Sequence, residues 1–202
     1  MPSIALLSQK GGAGKTTLAV HLAVASGDAL IIDTDKQKSA AGWWREREAQ
    51  LPELVTASAQ SVPKALSATS RQWVFIDTPP HAEEALRIVC AASDFILIPA
   101  RPAILDLRAI ADTVALVNGK NAVIVLNSCP PRRGFAEAGI VTEARKALAV
   151  YGLPICPVAV SQRVVYSHAL TGGQAVTEFE PEGKAAGEIR KLWEWLWQNA
   201  NH

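Results

Sequence analysis

The sequence predicts an α/β protein, a doubly wound and mostly parallel sheet with helices on both faces. Three observations predict it. Short continuous apolar runs alternate with longer amphipathic stretches from end to end, the pattern of strands covered on both sides. The first run, Ile4-Ala5-Leu6-Leu7, leads into the glycine-rich Gln9-Lys10-Gly11-Gly12-Ala13-Gly14-Lys15-Thr16-Thr17 and then a helix-like segment, Leu18 to Ala25. Later runs end on Asp33, Asp77 and Asn127, and in folds of this class ligands sit beyond the carboxyl ends of the strands.

Taken in order, Ser3–Leu7 reads as a strand and Thr16–Ser26 as a helix. Ala29–Ile32 is a strand and Ser39–Arg47 a helix, with Trp43 and Trp44 near its centre. Leu54–Thr56 is a short strand. Ser61–Ser67 is a helix with Pro63 in its first turn, where a missing N–H costs nothing. Trp73–Ile76 is a buried strand, Glu83–Ala91 a helix and Phe95–Ile98 a strand. Ile104–Val117 is a helix, Val123–Leu126 a strand, Ala136–Val150 a helix and Ile155–Val160 a strand. Val164–Leu170 and Gly183–Trp197 are the last helices. No repeat, linker or composition shift divides the 202 residues, so one domain over 1–202 is expected.

Composition narrows the function classes. Hydrophobic residues make up 49% and charged residues 19%, as in globular proteins. The net charge of +1 neither favours nor forbids nucleic acid, so DNA contact requires a local patch. Arg132-Arg133, Arg145-Lys146, Arg163 and Lys184 with Arg190-Lys191 are candidates. Cys90, Cys129 and Cys156 are odd in number and far apart, which argues against a disulfide framework or a zinc site and fits a reducing cytosol. The first apolar run meets a polar loop at Ser8, too short for a signal-peptide core, and no run approaches membrane-spanning length. A cytoplasmic location is expected. His21, His81, His168 and His202 are scattered without ligand spacing.

Strand, glycine-rich turn, Lys-Thr and helix, in that order, form a phosphate-binding loop. Its glycines let successive N–H groups converge on an anion, and the helix aims its positive end there. Lys15 is placed for the terminal phosphates, and Thr16 offers a hydroxyl to Mg²⁺. The first position of the ordinary loop is glycine; here it is Gln9, followed by a second lysine, Lys10. Asp33 and Asp35 follow one buried strand and Asp77 ends another. Carboxylates at that edge suit Mg²⁺ held through water, or the water that attacks a γ-phosphate. The Asn127 amide offers a donor beside an acceptor, which matches the adenine edge and equally suits an ordinary turn.

With these residues in place, the chain resembles the ParA/MinD-type ATPases. Lys10-Gly-Gly-Ala-Gly-Lys15-Thr-Thr resembles their deviant Walker A motif, Asp33-Thr-Asp35-Lys-Gln37 their second acidic motif, and Trp73 to Pro80 their Walker B strand. Ile98-Pro99 through Asp106-Leu-Arg108 is similar to their proline-containing segment. The stretch from Ser161-Gln-Arg163 to Glu188-Ile189 resembles the short ParF-like plasmid partition ATPases.

The resemblance implies an ATP hydrolase, slow and stimulated by a partner, in which two subunits sandwich two ATP molecules, as a homodimer or higher assembly. Lys10 would reach the partner's nucleotide. Lys15 would hold the β/γ-phosphates, and Thr16 would ligate Mg²⁺. Gly11, Gly12, Ala13, Gly14 and Thr17 would complete the phosphate cradle. Asp35 would position the attacking water, Asp33 and Asp77 would support the metal, and Asn127 would bind adenine. The implied partners are nonspecific DNA and a centromere-binding protein of ParB or ParG type. A MinD-like or cargo-positioning switch on a membrane or protein scaffold is the alternative. A metabolic ligase-type relative is a third option, against which Lys10 argues. One departure is Lys36, where this family usually has proline after the second acidic residue. Proline would fix φ; lysine does not. The tryptophans of the last helix invite comparison with a membrane-binding helix, but Ile189, Leu192, Trp193 and Leu196 recur at the spacing of a face packed on the sheet.

Overall fold

The computed structural model describes residues 1–103, 110–117, 119–131 and 137–200. Its strands are β1 (Ser3–Leu6), β2 (Ala29–Asp33), β3 (Glu53–Thr56), β4 (Trp73–Asp77), β5 (Phe95–Ala100) and β6 (Ala122–Leu126). They form one sheet in the order β3-β2-β4-β1-β5-β6, and every pairing is parallel. The register sets Asp77 opposite both Leu6 and Asp33. Two acidic strand ends thereby lie level with the loop that follows β1.

The helices are α1 (Lys15–Ser26), α2 (Ser39–Arg45), α3 (Val62–Ala68), α4 (Glu83–Ala92), α5 (Ile110–Leu116), α6 (Gly139–Leu148), α7 (Val164–Thr171), α8 (Val176–Phe179) and α9 (Lys184–Ala200). Successive strand residues feed opposite cores. Ile4, Leu6, Ile31, Phe75 and Leu97 pack with α1, α7 and α9. Ala5, Leu7, Ile32, Ile76 and Ile96 pack with α3, α4, α5 and α6. Period-two alternation with both faces covered is why these strands read as unbroken apolar runs. Burying each such Leu or Ile contributes about 1.5–3 kcal/mol.

Helix α1 is buried at Leu18, Ala19, Val20, His21, Leu22 and Ala23, nearly all round. Helix α9 is amphipathic. Ile189, Leu192 and Leu196 enter the core, and Trp193 packs edge-on against Trp73 at 4.6 Å. The tryptophan-rich face is therefore largely occupied by the sheet, although Trp197 remains exposed. Among the described residues no helix is long and apolar enough to cross a membrane.

Two expectations about the elements are corrected, and one helix is added. Ile155–Val160 is not a strand. Only Ile155 and Ser161 form isolated bridges, to Ile124 and Cys129, because Pro154 and Pro157 flank and interrupt the run and donate no hydrogen bond. The helix expected over Ala136–Val150 runs Gly139–Leu148 and closes with a 3-10 turn, Ala149–Tyr151; its first residue, Ala136, lies outside the described residues. Helix α8 was not anticipated. Its start is held by the Glu178 carboxylate, which accepts the Ala175 N–H at 2.9 Å. Of the helix expected over Ile104–Val117, the part before Ile110 lies outside the described residues. Arg132-Arg133, Asp106, Arg108 and His202 lie outside them too.

Candidate functional site

The loop after β1 is shaped by two glycines in left-handed conformations, Gly12 (φ 72°) and Gly14 (φ 98°). Gly14 precedes α1, and its carbonyl accepts the first helical bond from Leu18 at 2.9 Å. Gln9 ties the loop entrance down. Its N–H donates to Thr113 Oγ1 at 3.2 Å and its carbonyl accepts from His81 at 3.3 Å. A glycine at that position would keep these backbone bonds, so the loop geometry does not demand Gln9.

Lys15 is buried, and its ammonium donates to the Ser8 carbonyl at 3.1 Å and the Lys10 carbonyl at 3.4 Å. Burial lowers its pKa, while Asp77 and Asp35 oppose the shift and favour the charge. Thr16 Oγ1 donates to Asp77 Oδ2 at 2.7 Å. The other Asp77 oxygen is buried without a hydrogen-bond partner among the described residues. Burial raises the Asp77 pKa to about 7, against the hydrogen bond from Thr16. A buried oxygen with an unsatisfied lone pair beside a threonine hydroxyl suits a hydrated Mg²⁺. Among the described residues no group of three or more His, Cys, Asp or Glu forms a metal cage.

Asp33, expected to support the metal, binds backbone N–H groups through both carboxylate oxygens. Its Oδ1 accepts the Asp35 N–H at 3.0 Å and its Oδ2 the Ala41 N–H at 3.1 Å. Both oxygens therefore hold the turn between β2 and α2. Asp35 holds the same turn: its Oδ1 accepts from Gln37 at 2.9 Å, and its carbonyl accepts from Lys38 at 3.0 Å. Two threonines brace the strand ends. Thr34 Oγ1 donates to the Asp77 carbonyl at 2.7 Å, and Thr78 Oγ1 to the Leu6 carbonyl at 2.6 Å.

Asn127, expected to bind adenine, touches the phosphate loop. Its amide nitrogen donates to the Ala13 carbonyl at 2.8 Å and so braces the loop.

A cavity of about 900 Å³ runs along this edge. It is lined by Gly11, Gly12, Gly14, Lys15, Thr16, Thr17, Asp35, Arg101 and Asn127, and then by Ser128 and Gln162 to Val164. Its size suits one nucleotide-sized ligand. Lys10 is exposed and is not among the lining residues. A second cleft of about 950 Å³ opens on the far side of Asp35, between the 33–38 turn and Pro79 to Ala85. Sequence reasoning assigned no role to Arg101, Ser128 or Gln162; their signal was position, since Arg101 and Ser128 follow strand ends and Gln162 follows a run beside β6.

The basic candidates divide. Arg145 pairs with Glu137 and donates to the Cys156 carbonyl at 2.7 Å, and Arg163 pairs with Glu188 at 2.8 Å. Both serve the fold. Lys146, Lys184 and Lys191 are exposed.

This edge matches a known design in sequence as well as geometry. Residues 4–170 match the family described as the CobQ/CobB/MinD/ParA nucleotide binding domain. The chain belongs to this family. Its ParA/MinD members are ATPases, and its fold is the P-loop sheet described above. The chain is 30% identical over 94% of its length to the maintenance of carboxysome distribution protein A of Halothiobacillus neapolitanus, covering 94% of that protein. It is 27% identical to a ParA protein of Rhizobium radiobacter, over 94% of this chain and 91% of that one. Apo McdA from Cyanthece shares the fold, with a TM-score of 0.79 at 18% identity over 97% of this chain and 99% of that one.

Proposed function

We propose that this chain is an Mg·ATP-dependent switch that dimerises on ATP and positions a cargo. The observation that carries the reading is the division between two lysines. Lys15 is buried against the phosphate loop, while Lys10 is exposed at its entrance, outside the cavity walls. A lysine so displayed suits a nucleotide held by a second subunit. Bound Mg·ATP supplies the γ-phosphoryl group that water cleaves to give ADP and phosphate.

The chain's own residues then have these tasks. Lys15 exchanges its carbonyl partners for phosphate oxygens. Thr16 would offer its hydroxyl to the cation, and Asp77 would support the cation through its water. The N–H groups from Gly11 to Thr17 bind phosphate. Asp35 orients the attacking water, and Asp33 keeps the Asp35 turn in place. Asn127 holds Ala13, and so the cradle's curvature.

For the cargo, the relative with the higher identity is named for carboxysome distribution, which supports positioning of a large particle. A second reading, plasmid partition with a centromere-binding partner, is supported by the ParA relative. In the partition reading the ATP dimer binds nonspecific DNA, in the cargo reading it acts on a membrane or protein scaffold, and in both a partner stimulates slow hydrolysis. The test uses random-sequence DNA with Mg·ATP or ADP at two salt concentrations, alongside Asp35→Ala. Binding with ATP alone, weakening steeply with salt, and persisting longer in Asp35→Ala, is the expected result. ATP-independent or salt-insensitive binding contradicts the DNA part, and unchanged turnover in Asp35→Ala contradicts the assignment of that residue.

A further inference from the structure

We propose that Arg101 is a phosphate-binding residue of the same site, holding the α/β-diphosphate portion of the nucleotide in its own subunit. The inference rests on the nucleotide reading above and adds a residue to it. Arg101 directly follows β5, the strand beside β1. Its Nη2 lies 3.7 Å from where a Cβ on Gly12 would stand, so the guanidinium hangs over the phosphate loop. It lines the cavity and is exposed there. No carboxylate pairs with it among the described residues, unlike Arg47, Arg71, Arg87, Arg145 and Arg163, each of which has an acidic partner. A planar fork of donors without an acid beside it, placed at an anion cradle, is chemically matched to phosphate oxygens.

Sheet order says which phosphates. Along the carboxyl edge come Asp35 after β2, Asp77 ending β4, the loop after β1, Arg101 after β5 and Asn127 after β6. The cation and water groups Thr16, Asp77 and Asp35 lie on the β2/β4 side of the loop. Arg101 lies on the other side, toward Ser128 and Gln162. It therefore meets the inner phosphates, which ATP and ADP share.

The test measures equilibrium affinity of the full chain for ADP and ATP by calorimetry, for the parent, Arg101→Ala and Arg101→Lys. Arg101→Ala should weaken both nucleotides by about tenfold, leave the ATP-to-ADP ratio unchanged and leave the denaturation midpoint unchanged. Arg101→Lys should fall between. Equal affinities of parent and Arg101→Ala overturn the inference, as does weakening of ATP alone, which would assign the guanidinium to the terminal phosphate. If the parent binds neither nucleotide, the nucleotide reading itself has failed, which is a separate result.

Discussion

Replacing Gly14 with alanine should couple the phosphate loop to β6 in a measurable way. A Cβ at Gly14 would fall 2.0 Å from Asn127 Nδ2 and 3.3 Å from its Cγ. Asn127 would have to swing aside and release the Ala13 carbonyl, now bonded at 2.8 Å. Leaving those buried groups unpaired costs about 1–3 kcal/mol. The left-handed φ of 98° adds about 1–2 kcal/mol for any residue with a Cβ. Gly14→Ala should thus destabilise by about 2–5 kcal/mol, read as a shift in urea midpoint at constant m-value. In an Asn127→Ala background the clash has no partner, so the same substitution should cost only the backbone strain, about 1–2 kcal/mol. The cycle should therefore return a coupling of about 1–3 kcal/mol. Equal costs in both backgrounds would refute the contact as the reason for glycine here.

Stability should also carry opposing pH signatures from two buried groups. His21 is fully buried, accepts the Val176 N–H at 3.2 Å, and has its pKa lowered to about 3 by burial. The unfolded chain protonates it near 6.5, so its contribution is complete above that pH and is lost as pH falls toward 3. Asp77, raised from 3.8 to about 7, contributes in the opposite sense. Its stability is present below 3.8 and is lost as pH rises through 7. Each proton accounts for up to about 1.4 kcal/mol per pH unit. His21→Gln should therefore remove the acid-side loss, visible as a parent-minus-variant stability that decreases as pH falls from 6.5 to 4; a pH-independent difference would contradict burial of a neutral imidazole. Trp193→Ala should cost about 2–4 kcal/mol by stripping the half-buried ring from Trp73 and Phe75. Unchanged urea stability with reduced liposome sedimentation would instead favour a membrane role for α9.

The strands were legible because a sheet covered on both faces leaves no polar alternation to confuse, and Ile4 to Leu7 and Trp73 to Ile76 are buried as their composition predicts. The run at Ile155–Val160 misled for a specific reason: apolar burial does not require a ladder, and prolines remove the donors a ladder needs. At the site, residue types at strand ends indicated where chemistry gathers, but not which oxygen is already committed. Residue type alone does not show that Asp33 places both oxygens on the backbone of Asp35 and Ala41, or that Asn127 reaches Ala13. The Asp33 bonds depend on the path of the local turn, and the Asn127 bond on sheet order, which brings together residues distant in sequence. Arg101 was hidden for the same reason, since its neighbour Gly12 is one strand away in the sheet and far away in the chain. The positive φ of Lys38, His81 and Ser128 was also invisible in sequence; all three follow strands whose ends border the two clefts. Strain of that kind gathers at functional edges.

The central proposal is that ATP closes two chains through Lys10. It is tested most directly by the mass of the protein in solution, by light scattering, with Mg·ATP, with Mg·ADP and with neither. The parent should double in mass, or form a higher assembly, with Mg·ATP alone. Lys10→Ala should keep its ATP affinity and remain at the mass of one chain. A Lys10→Ala protein that assembles with ATP as the parent does, or a parent that never assembles, would contradict the proposal.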